Sequence, residues 1–592
     1  MLANGLEQSG AVVQKGSKGL EDKEAANHQT LAEIKKELSD SLKELEGPIL
    51  VVLDDIDRLA PQEIRLLFQL VKANADFPNV IYLLLFQRDI VERSLDSPHA
   101  ITGREFLEKI VQVGFDIPRI ERTRLEQVLF KGLDDLLADE KVGKHFDKKR
   151  WGNLFLGGLR PYFQTLRDVY RYLATLSFHV SLFRSTGSFE VNPVDLIALE
   201  VLRVFEPAVY QRLPDAKLEL TSQRDRAHDL HDQNERTRKL TESIVEAGSQ
   251  PDQVREIVKH LFPPVEWVFS GHIYGHDSEE EWFRQVRLCH PNVFDRYFHL
   301  KIPEGDISQA ELDRIRSLVG DRDALVANFR ALYKRGLLGV ALDRLEAYKQ
   351  QIDLRHAISF ITALFDIGDE LPEGPAGMFS FISSPENHAW RIIYWFLKQE
   401  KHPGQRGDIL KKAMRASAGL YLPIMTAARE GNEEKRKKDP DACNVTDADL
   451  DELHQICVEK IEHAAASGIL ASHPKMLSIL YRWREWSSPA KSREWVEGLI
   501  ESRTGVLSFL TAFLQRSTSH GMGDYVTEEH WRINLTNVED FVSSDALEKK
   551  VEELSLDNLS DKEMKAVKAF QKAVKRRREG KSDDDWHDDE DE

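Results

Sequence analysis

One stretch of the sequence constrains the fold of this chain more than any other: Pro48 to Asp57, with the sequence PILVVLDDID. Residues 49–53 are continuously apolar and rich in branched side chains, as expected for a strand buried on both faces of a parallel sheet. Asp54 and Asp55 follow where such a strand leaves the sheet, and α/β sheets bind ligands at this carboxyl edge. The stretch therefore predicts an α/β fold with two carboxylates at a ligand-binding edge.

The two adjacent acids favour a particular chemistry. Neighbouring carboxylates repel each other and are costly to desolvate unless a cation or a water network compensates them. A nucleotide-bound Mg²⁺, held through waters and one or two carboxylates, is a common compensation. In this interpretation the stretch is a Walker B strand, in which Asp54 positions the Mg²⁺ shell and Asp55 orients or deprotonates the attacking water. The alternative is that the acids only end a strand and cap the next helix.

The residues after Asp57 predict a second parallel strand. Apolar residues at helical spacing predict an amphipathic helix from Pro61 to about Lys72, and Val80 to Phe86 has the composition of another buried strand. A strand, a helix and a strand form a βαβ unit, whose handedness makes the strands parallel. Gln87 and Arg88 then lie beside the acids, where a P-loop NTPase keeps a polar sensor of the γ-phosphate.

Four blocks in this order resemble the KAP family of P-loop NTPases: VVLDDIDRL, IYLLLFQRD, FLEKIVQVGFDIP and LRDVYRYLATL. The later segments DLIALEVLRVFEPAVY and CHPNVFDRYFHLKIPEGDIS are similar to downstream segments of bacterial members, so the resemblance runs from about Gly47 to Ser308. It implies an ATP-binding and ATP-hydrolysing molecular switch that uses Mg²⁺ and oligomerises. It also implies a role in membrane-linked signalling or antiphage defence.

One family motif is missing. A Walker A loop, GxxxxGK[ST], should precede Walker B, because its backbone amides and lysine hold the phosphates, and no such motif occurs in the sequence. The expectation is a chain that begins downstream of the true P-loop. A degenerate NTPase, or one completed by another polypeptide, is the alternative. ATP and Mg²⁺ binding, and any ATPase activity, are therefore conditional on a P-loop that this chain lacks.

Arginines in a predicted helical lid are candidate contacts to the nucleotide. Thr165 is expected to cap a helix on which Arg167 and Arg171 share one face, an arrangement favoured when an anion such as the γ-phosphate lies between them. The alternative is an ion pair between Asp168 and Arg171 with Arg167 solvated. Arg58 and Arg104 are weaker candidates for an arginine finger. Val111 to Ile117 alternates in polarity and is predicted to be a further strand.

Charge and composition exclude several functions. The net charge is −19, and the last ten residues contribute eight of the acids, so general nucleic-acid binding is not expected. Three widely separated cysteines support neither a disulfide framework nor a zinc site and suggest a reducing compartment. No apolar run is long enough to span a bilayer, which predicts a cytoplasmic protein whose membrane association would need missing upstream segments.

The predicted fold class is an α/β P-loop NTPase domain with an incomplete parallel sheet, followed by a large, mostly α-helical region. The expected partners are a second copy of the chain, as a homo-oligomer, or a partner protein. A non-enzymatic helical interaction scaffold with a degenerate NTPase remnant is the rival to the switch. The predicted parts are a loose arm (1–29), a partial P-loop core with Walker B (30–120), a helical lid (121–190), a helical region of two or more subdomains (191–578) and a disordered acidic tail (579–592).

Overall fold

The computed structural model describes residues 31–74, 76–96, 102–184, 188–222, 231–275, 277–372, 384–431, 433–438, 443–519 and 528–581. The chain divides into two compact units, residues 1–119 and residues 120–592. The predictions for residues 1–29 and for most of the acidic tail lie outside the described residues.

The first unit is built on a βαβ motif. Strands β1 and β2 pair in parallel, with Ile49 opposite Val80 and Leu53 opposite Leu84. The predicted helix and second strand are both confirmed, with the helix two residues longer and the strand two residues shorter than expected. The elements in chain order are α1 (Leu31–Lys43), β1 (Ile49–Leu53), α2 (Pro61–Asn74), β2 (Val80–Leu84), α3 (Arg88–Leu95) and α4 (Gly103–Glu108).

Within the described part of the first unit, one face of this small sheet is covered. Leu53 and Leu84 pack against a core of six buried residues from α2, α3, α4 and the turn after β1: Ile56, Ile64, Phe68, Val91, Leu95 and Leu107. The four aliphatic side chains on the other face are between 43% and 56% exposed: Leu50, Val52, Ile81 and Leu83. The prediction that β1 is buried on both faces is therefore wrong, because nothing in the described part of this unit packs on the second face.

The strand predicted at Val111 to Ile117 is also wrong. The segment has no strand structure and no pairing partner among the described residues. Val113, Phe115 and Ile117 are exposed, the last two at 87%. Alternating polarity shows that a segment could line a sheet, but a strand also needs a neighbour with which to exchange backbone hydrogen bonds.

The second unit is almost entirely helical. Its described elements are α5 (Arg122–Leu137), α6 (Glu140–Gly143), α7 (Lys148–Leu154), α8 (Leu166–Phe183), α9 (Pro193–Phe205), α10 (Pro207–Tyr210), α11 (Lys217–Thr221), α12 (His231–Glu246), α13 (Pro251–Leu261), α14 (Trp267–Ser270), α15 (Asp277–Arg284), α16 (Pro291–His299), α17 (Gln309–Ser317), α18 (Arg322–Lys334), α19 (Leu338–Glu346), α20 (Ala357–Asp366), α21 (Pro385–Leu397), α22 (Pro403–Ala416), α23 (Tyr421–Glu430), α24 (Glu433–Lys438), α25 (Asp447–Ala466), α26 (Met476–Trp486), α27 (Pro489–Leu499), α28 (Arg503–Phe513), β3 (Gln515–Ser519), β4 (Glu528–Arg532), α29 (Leu535–Glu539), α30 (Ser544–Glu552) and α31 (Asp561–Arg578).

One continuous apolar core joins these helices, from Leu129 in α5 to Val574 in α31. Strands β3 and β4 pair in antiparallel orientation, with Gln515 opposite Arg532. None of the described helices is both long and apolar enough to cross a membrane. The predicted order of a small parallel sheet followed by a largely helical region is confirmed.

Candidate functional site

The acids and the polar sensor candidates follow two neighbouring strands. Asp54 and Asp55 come directly after β1, and Gln87 and Arg88 come shortly after β2. The backbone N–H of Leu85 donates to the carbonyl oxygen of Leu53 at 2.8 Å, which extends the pairing beyond β2. Because the strands are parallel and in register, all four residues lie at the carboxyl edge of the sheet, where ligands bind in α/β folds.

A tight turn sets the positions of the two acids. Asp55 has left-handed backbone angles (φ 58°, ψ 30°) and precedes a single 3₁₀ turn, Ile56–Arg58. Its N–H donates to Oδ1 of Asp54 at 2.7 Å, while the buried side chain of Ile56 anchors the turn in the core. Asp is one of the few residue types that adopt this backbone conformation at modest cost. The local sequence therefore holds the carboxylates at the edge instead of letting the strand continue.

The carboxylates remain accessible to a ligand. The Asp55 side chain is 52% exposed and forms an ion pair with Arg58 at 3.1 Å. Oδ2 of Asp54 makes no hydrogen bond within the described chain. No group of three or more His, Cys, Asp or Glu side chains with metal-site geometry occurs among the described residues. Two carboxylates can hold Mg²⁺ only together with waters and nucleotide oxygens, which is the usual donor set of nucleotide-bound Mg²⁺.

The sensor candidates begin helix α3. Gln87 is the N-cap residue with an extended backbone, and its side chain makes no capping hydrogen bond. Arg88 donates through Nε to Glu92 at 2.8 Å, and this hydrogen bond raises the pKa of the guanidinium above its usual value. The Gln87 amide is therefore not used by its own helix, whereas Arg88 would have to exchange Glu92 for a phosphate.

Arg167 and Arg171 lie on α8, in the second unit. The predicted cap is confirmed: Thr165 and Asp168 form a capping box, with the Asp168 N–H donating to Oγ1 of Thr165 at 3.2 Å. Asp168 and Arg171 form no ion pair within the described residues, and the Arg171 guanidinium lies 5.1 Å from the centre of the Phe205 ring. The alternative interpretation of this helix is therefore wrong. Nucleotide contact by Arg167 or Arg171 stays a prediction.

Each of the two arginine-finger candidates, Arg58 and Arg104, forms an ion pair with an acid three or four residues away. Arg58 contacts Asp55 as described, and Arg104 forms an ion pair with Glu108 at 3.2 Å on the same helix. Exposed pairs of this kind contribute only about 0–1 kcal/mol. Either arginine could therefore exchange its partner at small cost, and neither assignment is tested by the geometry.

Sequence reasoning missed a second group of charged residues. Asp195 is fully buried in α9 and binds Arg150 and Arg287, which precede and follow it by 45 and 92 residues. No motif links positions so far apart, and each residue resembles an ordinary surface charge when its sequence context is considered alone. The folded chain is needed to show that the three meet.

Comparisons with known proteins agree with the geometry of the strand edge. Residues 6–183 match a family model described as the KAP family P-loop domain, which confirms the resemblance. A stretch of 196 residues is 28% identical to the phage T7 exclusion protein of Escherichia coli (strain K12), covering 31% of this chain and 25% of that protein. The chain thus matches about a quarter of the length of this curated relative. No solved structure matches the chain.

Proposed function

We propose, from the match of residues 6–183 to the KAP family P-loop domain, that the chain acts as a nucleotide-dependent switch in phage exclusion. The observation that carries the proposal is the pair of acids, Asp54 and Asp55, at the carboxyl edge of two parallel strands beside Gln87. The family implies nucleotide binding in general, and ATP with Mg²⁺ is the specific form proposed. The link to phage exclusion comes from the 28% identical relative.

The proposed division of labour follows from the turn after β1. Asp54 would help to hold the Mg²⁺ through its carboxylate, of which Oδ1 already accepts the Asp55 N–H. Asp55, held in the left-handed conformation, accepts a proton from the attacking water or orients it. Gln87, whose side chain makes no capping hydrogen bond, would donate its side-chain amide to the γ-phosphate. Bound Mg²⁺ would supply charge neutralisation for the phosphates.

The helical second unit is the proposed transmitting part of the switch. A switch requires contacts that differ between its nucleotide states, and an arginine on α8 that binds only the triphosphate form would supply one. Arg171 would exchange its contact with the Phe205 ring for the phosphate. A second copy of the chain or a partner protein would receive the signal.

Phage plating tests the proposal in a host that expresses the chain. Asp54→Ala and Asp55→Asn should each abolish protection, because the first removes the cation contact and the second the proton acceptor. Asp76→Asn is the matched control: this exposed acid lies on the turn between α2 and β2, at the opposite edge of the sheet. Protection that survives both site substitutions would contradict the nucleotide-dependent mechanism.

A non-enzymatic scaffold is the second candidate, and one observation favours it: the sequence contains no GxxxxGK[ST] motif. Because the amides and lysine of that motif supply most contacts to the phosphates, we expect the isolated chain to bind Mg-ATP weakly. Calorimetric titration distinguishes the candidates together with the plating assay. Micromolar affinity lost in Asp54→Ala would support the switch, whereas protection without measurable nucleotide binding would support the scaffold.

A further inference from the structure

The second unit contains a buried ionic cluster in which two cations share one anion. Oδ1 of Asp195 accepts a hydrogen bond from Arg150, and Oδ2 accepts from Nε of Arg287 at 2.9 Å. The backbone N–H of Leu288 donates to Oδ2 as well, at 2.8 Å. Buried charges are normally balanced, since an unpaired buried charge is costly. One carboxylate between two guanidiniums leaves an excess of positive charge.

The burial of the two arginines and the lowered pKa of Arg150 agree with this excess of positive charge. The side chains of Arg150 and Arg287 are only 13% and 6% exposed. Burial, followed by repulsion from Arg287, lowers the pKa of Arg150 well below its usual value. Burial, followed by repulsion from Arg150, also lowers the pKa of the neighbouring His260. An additional anion at this place would relieve the repulsion.

A cavity of about 350 Å³ opens beside the two arginines. This volume lies at the lower end of the range for small-molecule sites, roughly 300–1,000 Å³. Tyr274 and Trp282 form part of its wall, with their rings 5.5 Å apart. Four basic and two acidic residues complete the charged lining: Lys149, Arg150, Lys259, Arg287, Asp147 and Glu266.

The two acids in the lining already accept hydrogen bonds within the protein. Oδ1 of Asp147 caps helix α7 by accepting the backbone N–H groups of Lys149 and Arg150, at 2.9 and 3.0 Å. Glu266 accepts hydrogen bonds from the Tyr274 hydroxyl at 2.8 Å and the Ser270 hydroxyl at 3.3 Å. Neither acid forms an ion pair with a lining arginine in the described chain.

Donors remain available on the basic side of the cavity. Nε of Arg150 and Nη1 of Arg287 make no hydrogen bond within the described chain, and neither is fully enclosed. The exposed ammonium group of Lys149 forms no ion pair there either. Guanidinium groups with such available N–H donors match the geometry of phosphate oxygens.

We propose that this cavity binds a phosphate monoester no larger than a mononucleotide. Its phosphate lies between Arg150 and Arg287, with Lys149 at the mouth, and its organic part packs against Trp282 and Tyr274. This site lies wholly within the second unit and does not depend on the proposed nucleotide site at Asp54 and Asp55.

Calorimetric titration of the full chain tests the site with four probes: inorganic phosphate, adenosine 5′-monophosphate, ribose 5-phosphate and adenosine. The three phosphate-bearing probes should each saturate one site per chain, and adenosine should not bind. Lys149→Glu should weaken the phosphate probes about tenfold, because it replaces a charge-assisted contact with repulsion. Lys148→Glu, the same charge change on the preceding exposed residue of α7, should leave their affinity unchanged.

A second variant addresses the buried pair. Arg287→Gln leaves Asp195 paired one-to-one with Arg150 and should abolish phosphate binding, and its melting temperature shows whether it is folded. Three results would each overturn the proposal: adenosine binding as tightly as its monophosphate, equal weakening by both lysine substitutions, or no saturable phosphate binding at millimolar concentration in the unmodified chain.

Discussion

Substitutions of Asp55 can distinguish two contributions to stability at the strand edge: the left-handed backbone conformation and the carboxylate charge. Its φ of 58° lies in the left-handed region, where a residue with a Cβ and no compensating polar group is disfavoured by about 1–2 kcal/mol. Asn tolerates this region about as well as Asp, and Gly adopts it freely. The ion pair to Arg58 is exposed on both sides, so its loss should cost at most about 1 kcal/mol.

These values predict the relative stability of the first unit in three variants at position 55. Asp55→Asn should leave the local stability of the first unit close to that of the unmodified chain. Asp55→Gly should differ by about 0.5 kcal/mol at most, because greater freedom of the unfolded chain offsets the relaxed turn. Asp55→Ala should be less stable than Asp55→Asn by about 1 kcal/mol, which corresponds to a roughly fivefold change in an opening equilibrium.

Hydrogen–deuterium exchange measured by mass spectrometry is the suitable assay. All ten tryptophans lie between Trp151 and Trp586, so intrinsic tryptophan fluorescence does not report on residues 1–119. Peptides covering residues 49–58 and 80–86 contain the paired strands and should exchange about five times faster in Asp55→Ala than in Asp55→Asn. Peptides from residues 120–581 serve as the internal control and should be unchanged.

Two outcomes would refute this reasoning. Equal exchange in the Ala and Asn variants would mean that the core does not enforce the left-handed turn. Equal acceleration in the Asn, Gly and Ala variants would mean that the carboxylate charge, and not the backbone, stabilises the strand edge. In the expected case Asp55→Asn is structurally neutral, so a loss of phage protection in that variant can be assigned to chemistry.

Further predictions concern the second unit, where tryptophan fluorescence during urea unfolding is informative. Burial lowers the pKa of His290 to about 3, and its Nδ1 accepts the Asn292 N–H at 3.2 Å. The unfolded state therefore binds the extra proton, and stability is lost as pH falls below about 6.5. Between pH 7 and pH 5 this proton uptake lowers the free energy of unfolding by about 2 kcal/mol. The His290→Asn variant should lack this part of the pH dependence. An unchanged pH dependence in that variant would contradict the assignment. Burial raises the pKa of Cys289 to about 11 and of Cys457 to about 12, so iodoacetamide at pH 8 should label the folded chain far more slowly than the unfolded chain, and equal rates would contradict this burial. Asp195→Asn should destabilise the unit by about 3–5 kcal/mol, because two buried guanidiniums lose their anion; a change below 1 kcal/mol would show that the charges are solvated.

The sequence predicted those parts of the fold that depend on local signals. The apolar run before Asp54, the helix from Pro61 and the Thr165 cap each depend on residues within a few positions of one another, and the structure has all three. The placement of Gln87 at the same sheet edge as the acids followed from the parallel strands of a βαβ unit, which is a general rule and needs no knowledge of the rest of the chain.

Features that depend on distant neighbours could not be predicted. The segment around Phe115 has the polarity of a strand but no partner with which to pair. Burial of both faces of β1 was inferred from composition, although composition cannot show which elements cover a sheet. The cluster of Arg150, Asp195 and Arg287 depends on separations of 45 and 92 residues, for which a single sequence carries no pairing signal.

The exposed face of the small sheet predicts which substitutions this unit tolerates. Leu50, Val52, Ile81 and Leu83 are about half exposed in this chain, so polar replacements there remove little buried area and should be tolerated as surface changes are. Their neighbours in the core, such as Phe68, have no such freedom. If a saturation library selected for phage protection rejects polar residues at these four positions, selection is acting on a contact that lies outside the described part of this unit.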